Sequence, residues 1–275
     1  MDGSRTTDPG IVVAPLNFLA PMAEKPVAYN YEPPPGVPAR TGRGEEHRVP
    51  VHDARRIAAD LSLDREGFVL LHHKSAVANF YDEAEIAALY YPECERVVGE
   101  ATGAARVVAF DHITRNAALA AVKGSGVKSP AKRVHNDYTA KSAPQRVRDL
   151  MGEEAEKLLE GRFAIINLWR PIRGPLLASP LALCDAQSLA DENLVATDLK
   201  YPDRTGEIYS ITYNPAQRWY YFPQMQPDEA VLIRCFDSAL SGPQRFSAHG
   251  AFDDPQSPPD APPRESIEVR TLVFY

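Results

Sequence analysis

Three cysteines in 275 residues, Cys94, Cys184 and Cys235, are too few, too far apart and odd in number for a disulfide framework. No CxxC pair occurs, so a thiolate zinc site is not indicated, and each cysteine reads as a small buried apolar side chain. Also missing is any run of 18 apolar residues, the length an ordinary membrane-spanning helix needs. The start, Met1-Asp2-Gly3-Ser4-Arg5, lacks the apolar stretch of a secretory signal, so a cytoplasmic location is expected. Positive charge is short as well. Lys plus Arg total 30 against 37 Asp plus Glu, a net charge of -7, and no basic stripe offers the footprint of a nucleic-acid binder. These gaps leave a small-molecule substrate as the expected partner, with no nucleic acid and no membrane; a homodimer stays open.

Hydrophobic residues at 44% and charged residues at 24% are ordinary for a soluble globular chain. The 25 prolines are not, and nine of them fall in residues 1–50, including Pro33-Pro34-Pro35. That region shows no sustained period of 2 or 3.6, so it is expected to be an extended Pro-rich arm lying on the body through Phe18, Tyr29 and Tyr31. Residues 51–275 are expected to form one domain. Its first half suggests a short helix at 54–61, a strand at 67–71, helical spacing over 79–99 and a strand at 105–110. A helix then opens with Ser142 as N-cap and Pro144 in the first turn, and runs to about Glu160. Beyond it the period becomes 2, with strands near 162–169, 181–187, 207–213, 218–222, 230–236, 247–252 and 266–275. Helices first and short strands afterwards predict a mainly β (α+β) chain with an antiparallel jelly-roll core and flanking helices.

Seven histidines are present, and only one has a carboxylate two positions on: His135-Asn136-Asp137. On a strand, positions i and i+2 share a face, so His135 and Asp137 could reach one cation. A neutral imidazole and a carboxylate oxygen, completed by a distant histidine, make the facial triad that holds non-haem Fe(II) and leaves positions open for other ligands. His249 is the natural third member. With so many histidines and acids one such triplet arises by chance, so a plain hydrogen-bonding role for His135 stays open at this point.

The final segment, Arg264-Glu265-Ser266-Ile267-Glu268-Val269-Arg270, places Arg264, Ser266, Glu268 and Arg270 on one strand face and Ile267, Val269 and Val273 on the other. One reading is an edge strand with a solvated charged face. The other is that Arg264 and Ser266 grip one carboxylate of a small dianion while Arg270 orients its other end near the metal, the planar guanidinium being suited to bidentate contact. Glu268 on that face is a complication.

Taken in order, Phe110-Asp111-His112, Val134-His135-Asn136-Asp137-Tyr138-Thr139, Asn167-Leu168-Trp169-Arg170-Pro171-Ile172, Pro180-Leu181-Ala182-Leu183-Cys184-Asp185 and 264–270 resemble the hydroxylase/desaturase family of secondary metabolism. That family includes gibberellin-desaturase-like fungal proteins and the cephamycin methoxylation protein. The resemblance spans roughly residues 60–275. It implies a double-stranded β-helix (cupin-like) Fe(II)- and 2-oxoglutarate-dependent oxygenase, with O2 as co-substrate, that hydroxylates, desaturates or cyclises a small molecule. It further implies His135, Asp137 and His249 as iron ligands, Arg264 with Ser266 at the distal carboxylate of 2-oxoglutarate, and Arg270 near its keto-acid end. Asn167 could donate to the same cofactor, and Tyr138, His112 and Arg115 could line the pocket or contact substrate. Two alternatives share these residues: a cupin-like metalloenzyme working without 2-oxoglutarate, as isomerase or dioxygenase, and a non-catalytic accessory subunit.

Overall fold

The computed structural model describes residues 10–122 and 124–275. Among these, the strands in chain order are β1 (Ile11–Leu19), β2 (Val27–Tyr29), β3 (Gly44–Asp53), β4 (Phe68–His72), β5 (Arg106–Asn116), β6 (His135–Asn136) and β7 (Phe163–Pro171). They continue with β8 (Leu181–Cys184), β9 (Leu194–Lys200), β10 (Thr205–Ile211), β11 (Trp219–Tyr221), β12 (Glu229–Asp237), β13 (His249–Ala251) and β14 (Glu265–Phe274). They form two sheets, a nine-stranded one ordered β1-β3-β11-β8-β13-β6-β10-β9-β2 and a five-stranded one ordered β4-β12-β7-β14-β5. Two mainly antiparallel sheets facing one another, the larger curled, are the double-stranded β-helix architecture expected from the strand-rich second half.

Alternation decides what lies between the sheets. In β7, Phe163, Ile165 and Trp169 enter the main core, while Ala164, Ile166 and Leu168 face a second apolar cluster. In β14, Leu272 and Phe274 turn inward and Ile267, Val269 and Val273 outward. The outward cluster is covered by the helical segment 83–102, whose Ile86, Tyr90, Cys94, Val97 and Val98 lie against it. The charged face of β14 is therefore interior and the apolar face is also covered. The edge-strand reading fails because β14 is paired on both sides, by β7 and β5. All three cysteines are buried thiols.

The arm expected over residues 1–50 is corrected from residue 10 onward; residues 1–9 lie outside the described residues. Ile11–Leu19 and Gly44–Asp53 pair along their whole length, and Val12, Ala14, Leu16, Phe18, Val49 and Val51 belong to the main core. The period of 2 was present, but Pro15 and Pro50 sit in it. Pro15 is tolerated because β1 is the sheet edge, where a missing N–H leaves no ladder bond unmade, and Pro50 lies in β3 just before its pairing with β11 begins at Val51. Strand β9 was also not anticipated. The short helix at 54–61 is a 3-10 turn, Ala54–Asp60, and the strand placed at 105–110 extends to Asn116 through a bulge opposite Arg270/Thr271.

The helix assigned to 142–160 spans Ser142–Met151, breaks at Gly152 with φ of 54°, and resumes as Ala155–Leu159. Thr139, not Ser142, caps it: the Thr139 hydroxyl accepts from the Ser142 and Lys141 amides at 3.0 and 3.2 Å, and Ser142 Oγ accepts from the Thr139 amide at 2.9 Å. Ala143 and Val147 then seat this helix on the main core beside the histidine-bearing strand β6.

If β1 is part of the core, Phe18→Ala will cost about 3–5 kcal/mol. Phe18 is fully buried, with ring-edge contacts to Trp219, Tyr213 and His47. Urea unfolding measures this; a loss below about 1 kcal/mol, the size of an exposed-site change, would return the segment to the status of an arm.

Candidate metal centre

Strands β6 and β13 are neighbours in the large sheet, and their one register pair is His135 opposite His249. Cross-strand partners share a face, so the pairing brings two imidazoles from 114 positions apart to a ring-centroid distance of 4.8 Å. Gly250 permits the approach: a Cβ there would lie 3.3 Å from the Val134 Cα. Asp137 follows β6 directly. Between the two ligands Asn136 turns away and donates to the Tyr138 and Cys235 carbonyls at 2.7 and 2.8 Å, which pins the triplet to β12. One donor atom from each of His135, Asp137 and His249 lies within 4.8 Å of the others.

The hydrogen bonds set which atoms are free. His135 Nδ1 donates to the Arg133 carbonyl at 2.8 Å and His249 Nδ1 to the Ser247 carbonyl at 3.1 Å, so in each ring Nε2 carries the lone pair. His249 Nε2 is buried with no partner, and His135 Nε2 faces Asp137 Oδ1 at 3.4 Å. Lone pairs turned on one another in a buried place are satisfied by a cation, and two imidazoles with one carboxylate suit Fe(II). Burial and the neighbouring His135 hold the His249 imidazole below its usual range, which keeps it neutral. Burial pushes the Asp137 carboxyl up, but Arg270, His135 and His249 together bring it well below the carboxylate range.

Arg270 is not where it was expected. Its Nε donates to Asp137 Oδ2 at 2.9 Å, its Nη1 to Asp111 Oδ2 at 2.8 Å, and its Nη2 stands 3.6 Å from Glu268 Oε1. A guanidinium so engaged orients the metal-side carboxylate rather than a keto acid. Asn167 does likewise: it pairs with Arg270 across β7 and β14, and its Nδ2 donates to the same Asp137 Oδ2 at 2.9 Å. With Oδ2 occupied twice, Oδ1 is the oxygen left toward the histidines.

Arg264, Glu268 and Trp169 meet His135 and His249 around one interior space. A narrow cavity is lined by Arg115, His135, Trp169, His249, Arg264 and Glu268, with Leu181 and Ala251 among its apolar walls. Arg264 is fully buried over the Trp169 ring at 5.5 Å; Nη1 donates to the Ser179 carbonyl at 2.8 Å and Nε has no partner. Burial and the nearby Arg115 push its guanidinium down to about 9. Ser266 Oγ, also buried, has no partner either, being in register with Arg115 across β14 and β5. A buried cation and hydroxyl short of acceptors fit one carboxylate.

The remaining expectations divide. Arg115 joins the cavity. Tyr138 is partly buried beside Asp137, Arg270, Arg146 and Asp111, and burial raises its phenol, so it is a neutral O–H next to the Asp137 carboxylate. His112 is excluded: opposite Val269 it points outward, where Nδ1 meets the Tyr91 hydroxyl at 2.9 Å and Nε2 lies 3.4 Å from Glu83. Trp169 and Glu268 gain a place at the cavity that sequence reasoning had not assigned them.

The family model described as an Oxidoreductase/YMDC permease-like domain matches residues 16–274. The Fe(II)/2-oxoglutarate-dependent dioxygenase nvfI of Aspergillus novofumigatus is 33% identical over 287 residues, covering 100% of this chain and 99% of that protein. The hydroxylase/desaturase efuI of Hormonema carpetanum is 34% identical over 250 residues, covering 82% and 83%. A solved structure of the iron and alpha-ketoglutarate-dependent endoperoxidase NvfI superposes with a TM-score of 0.89 at 31% identity, covering 97% of this chain and 99% of that one.

Arg270→Met will destabilise the metal-free protein by about 3–5 kcal/mol, because it strands Asp137 as a buried charge. A carboxylate whose folded-state value is depressed adds stability that is complete above the unfolded value, near 4, and is lost as pH falls through the folded value. The gap between wild type and variant in urea is therefore widest near neutrality and narrows on acidification below pH 4. A gap independent of pH would contradict the pairing.

Proposed function

The chain belongs to the family of fungal secondary-metabolism Fe(II)/2-oxoglutarate-dependent dioxygenases and hydroxylase/desaturases, and from that premise we propose that His135, Asp137 and His249 hold its iron while Arg264 and Ser266 hold the distal carboxylate of 2-oxoglutarate. The observation that carries this reading is a pair of complementary deficits around one cavity. On the large-sheet side stand an orphaned imidazole nitrogen and a carboxylate oxygen that want a cation. On the small-sheet side stand a buried guanidinium and a hydroxyl that want an anion. A keto dicarboxylate and a metal would together answer both deficits, the metal held by His135, Asp137 and His249 and a carboxylate by Arg264 and Ser266.

Iron with 2-oxoglutarate and O2, when bound, would supply the oxidant for an unactivated C–H bond, 2-oxoglutarate being converted to succinate and CO2. The protein's own work is placement. Asn167 and Arg270 fix Asp137 in one orientation, the Arg133 and Ser247 carbonyls fix the two imidazoles, and the indole of Trp169 supports the Arg264 guanidinium. Leu181 and Ala251 give the same cavity apolar walls. The substrate is a small molecule oxidised at a C–H bond brought up to the flank bearing Tyr138, whose O–H can donate to a substrate oxygen. Hydroxylation and desaturation then differ in where the substrate's C–H bond is held.

Protein reconstituted anaerobically with Fe(II) will develop a weak visible charge-transfer band on addition of 2-oxoglutarate, and on exposure to O2 will form succinate. His249→Ala abolishes the band. Arg264→Gln raises the half-saturating 2-oxoglutarate concentration about 10–100-fold, the size of a lost charge-assisted hydrogen bond. Wild-type protein that gives neither band nor succinate at millimolar 2-oxoglutarate would overturn the proposal.

A further inference from the structure

The keto-acid side of the cavity contains a second cation that the proposed function leaves unused. Arg115 sits on β5 directly across from Ser266 on β14, so both side chains leave the same face of the small sheet, and Arg115 lines the cavity together with Arg264, His135 and His249. Its Nη1 donates to the Ser129 carbonyl at 2.8 Å. Among the described residues neither Arg115 nor Arg264 has a carboxylate within 4.0 Å, although four of the cavity's neighbours, Asp111, Asp137, Glu268 and Arg270, are already joined to one another.

We infer that Arg115 is the second arginine of the keto-acid site, sharing with Arg264 and Ser266 the carboxylate of 2-oxoglutarate remote from the keto group. The inference rests on the function proposed above and refines it. Arg270, the arginine that strand position alone favours, is committed to Asp137 and Asp111. Arg115 is held by a backbone carbonyl rather than by a carboxylate. Glu268 explains how two guanidiniums can share one desolvated place: it lines the same cavity and lowers the repulsion between them. The hydrogen-bond partners of Arg115 and Arg264 are backbone carbonyls, so an incoming carboxylate would be the first anion that either guanidinium pairs with. A keto acid with an apolar tail would leave both buried guanidiniums without an anion, so the arrangement selects a dicarboxylate.

The test compares two keto acids of equal length on anaerobic Fe(II)-loaded protein: 2-oxoglutarate, and 2-oxovalerate, in which a methyl group replaces the distal carboxylate. Calorimetry or the charge-transfer band gives each dissociation constant, and thermal unfolding of the same samples reports fold. Arg115→Gln is expected to weaken 2-oxoglutarate about 10–100-fold and to change 2-oxovalerate by no more than about twofold. Arg115→Lys, which keeps the charge but loses the planar fork, falls between. Unchanged 2-oxoglutarate affinity in Arg115→Gln overturns the assignment, and so does equal weakening of both keto acids with a lowered melting temperature, which marks a structural role. Failure of the underlying proposal looks different, because wild-type protein would then bind neither keto acid or would bind 2-oxoglutarate no worse after Arg264→Gln.

Discussion

The buried ion pair between Arg270 and Asp137 is the contact on which the rest of the site depends. It ties the centre of the small sheet to the loop that leaves β6 in the large one, and its partners are almost completely removed from water. Desolvating two charges is costly unless their other hydrogen-bonding positions are filled. Here Asn167 fills one on the carboxylate, and Asp111 and Glu268 accompany the guanidinium. The result is a carboxylate with one oxygen spoken for and one presented to two imidazoles. A metal held there gains a fixed ligand set without having to order it on binding.

Around this pair the small sheet is polarised. Its outer face is apolar and covered by the helical segment 83–102, while its inner face carries Asn167 and Trp169 from β7, Arg115 and Asp111 from β5, and Ser266, Glu268 and Arg270 from β14. Interior charge of this density opposes folding on its own. It is tolerated because the cations and anions are interleaved across the neighbouring strands β5 and β14. An acidic chain thus carries a locally positive pocket.

Local spacing in the sequence was enough for the parts of the site that lie within one strand. His135 and Asp137 two apart, and Arg264, Ser266, Glu268 and Arg270 alternating with Ile267 and Val269, are visible in a short window, and so is the class of fold. What a window cannot hold is which strands become neighbours. The opposition of His135 to His249, of Arg115 to Ser266 and of Asn167 to Arg270 is long-range pairing, and it is this pairing that sets Asn167 and Arg270 together against Asp137 and Arg115 beside Ser266. The bulge in β5 matters likewise: beyond it Asp111 and Arg115 face inward and His112 outward, a parity no periodicity count on 105–110 contains. The N-terminal strands were obscured by proline, whose usual meaning as a breaker lapses on a sheet edge.

The central claim is that one cavity between the sheets holds a cation on its large-sheet wall and a keto dicarboxylate on its small-sheet wall. Anomalous diffraction from crystals equilibrated anaerobically with Fe(II) and 2-oxoglutarate addresses it directly. The account predicts a single iron peak bounded by His135 Nε2, His249 Nε2 and Asp137 Oδ1, with keto-acid density reaching Arg264 and Ser266. Iron bound elsewhere, or 2-oxoglutarate density away from Arg264, would contradict it.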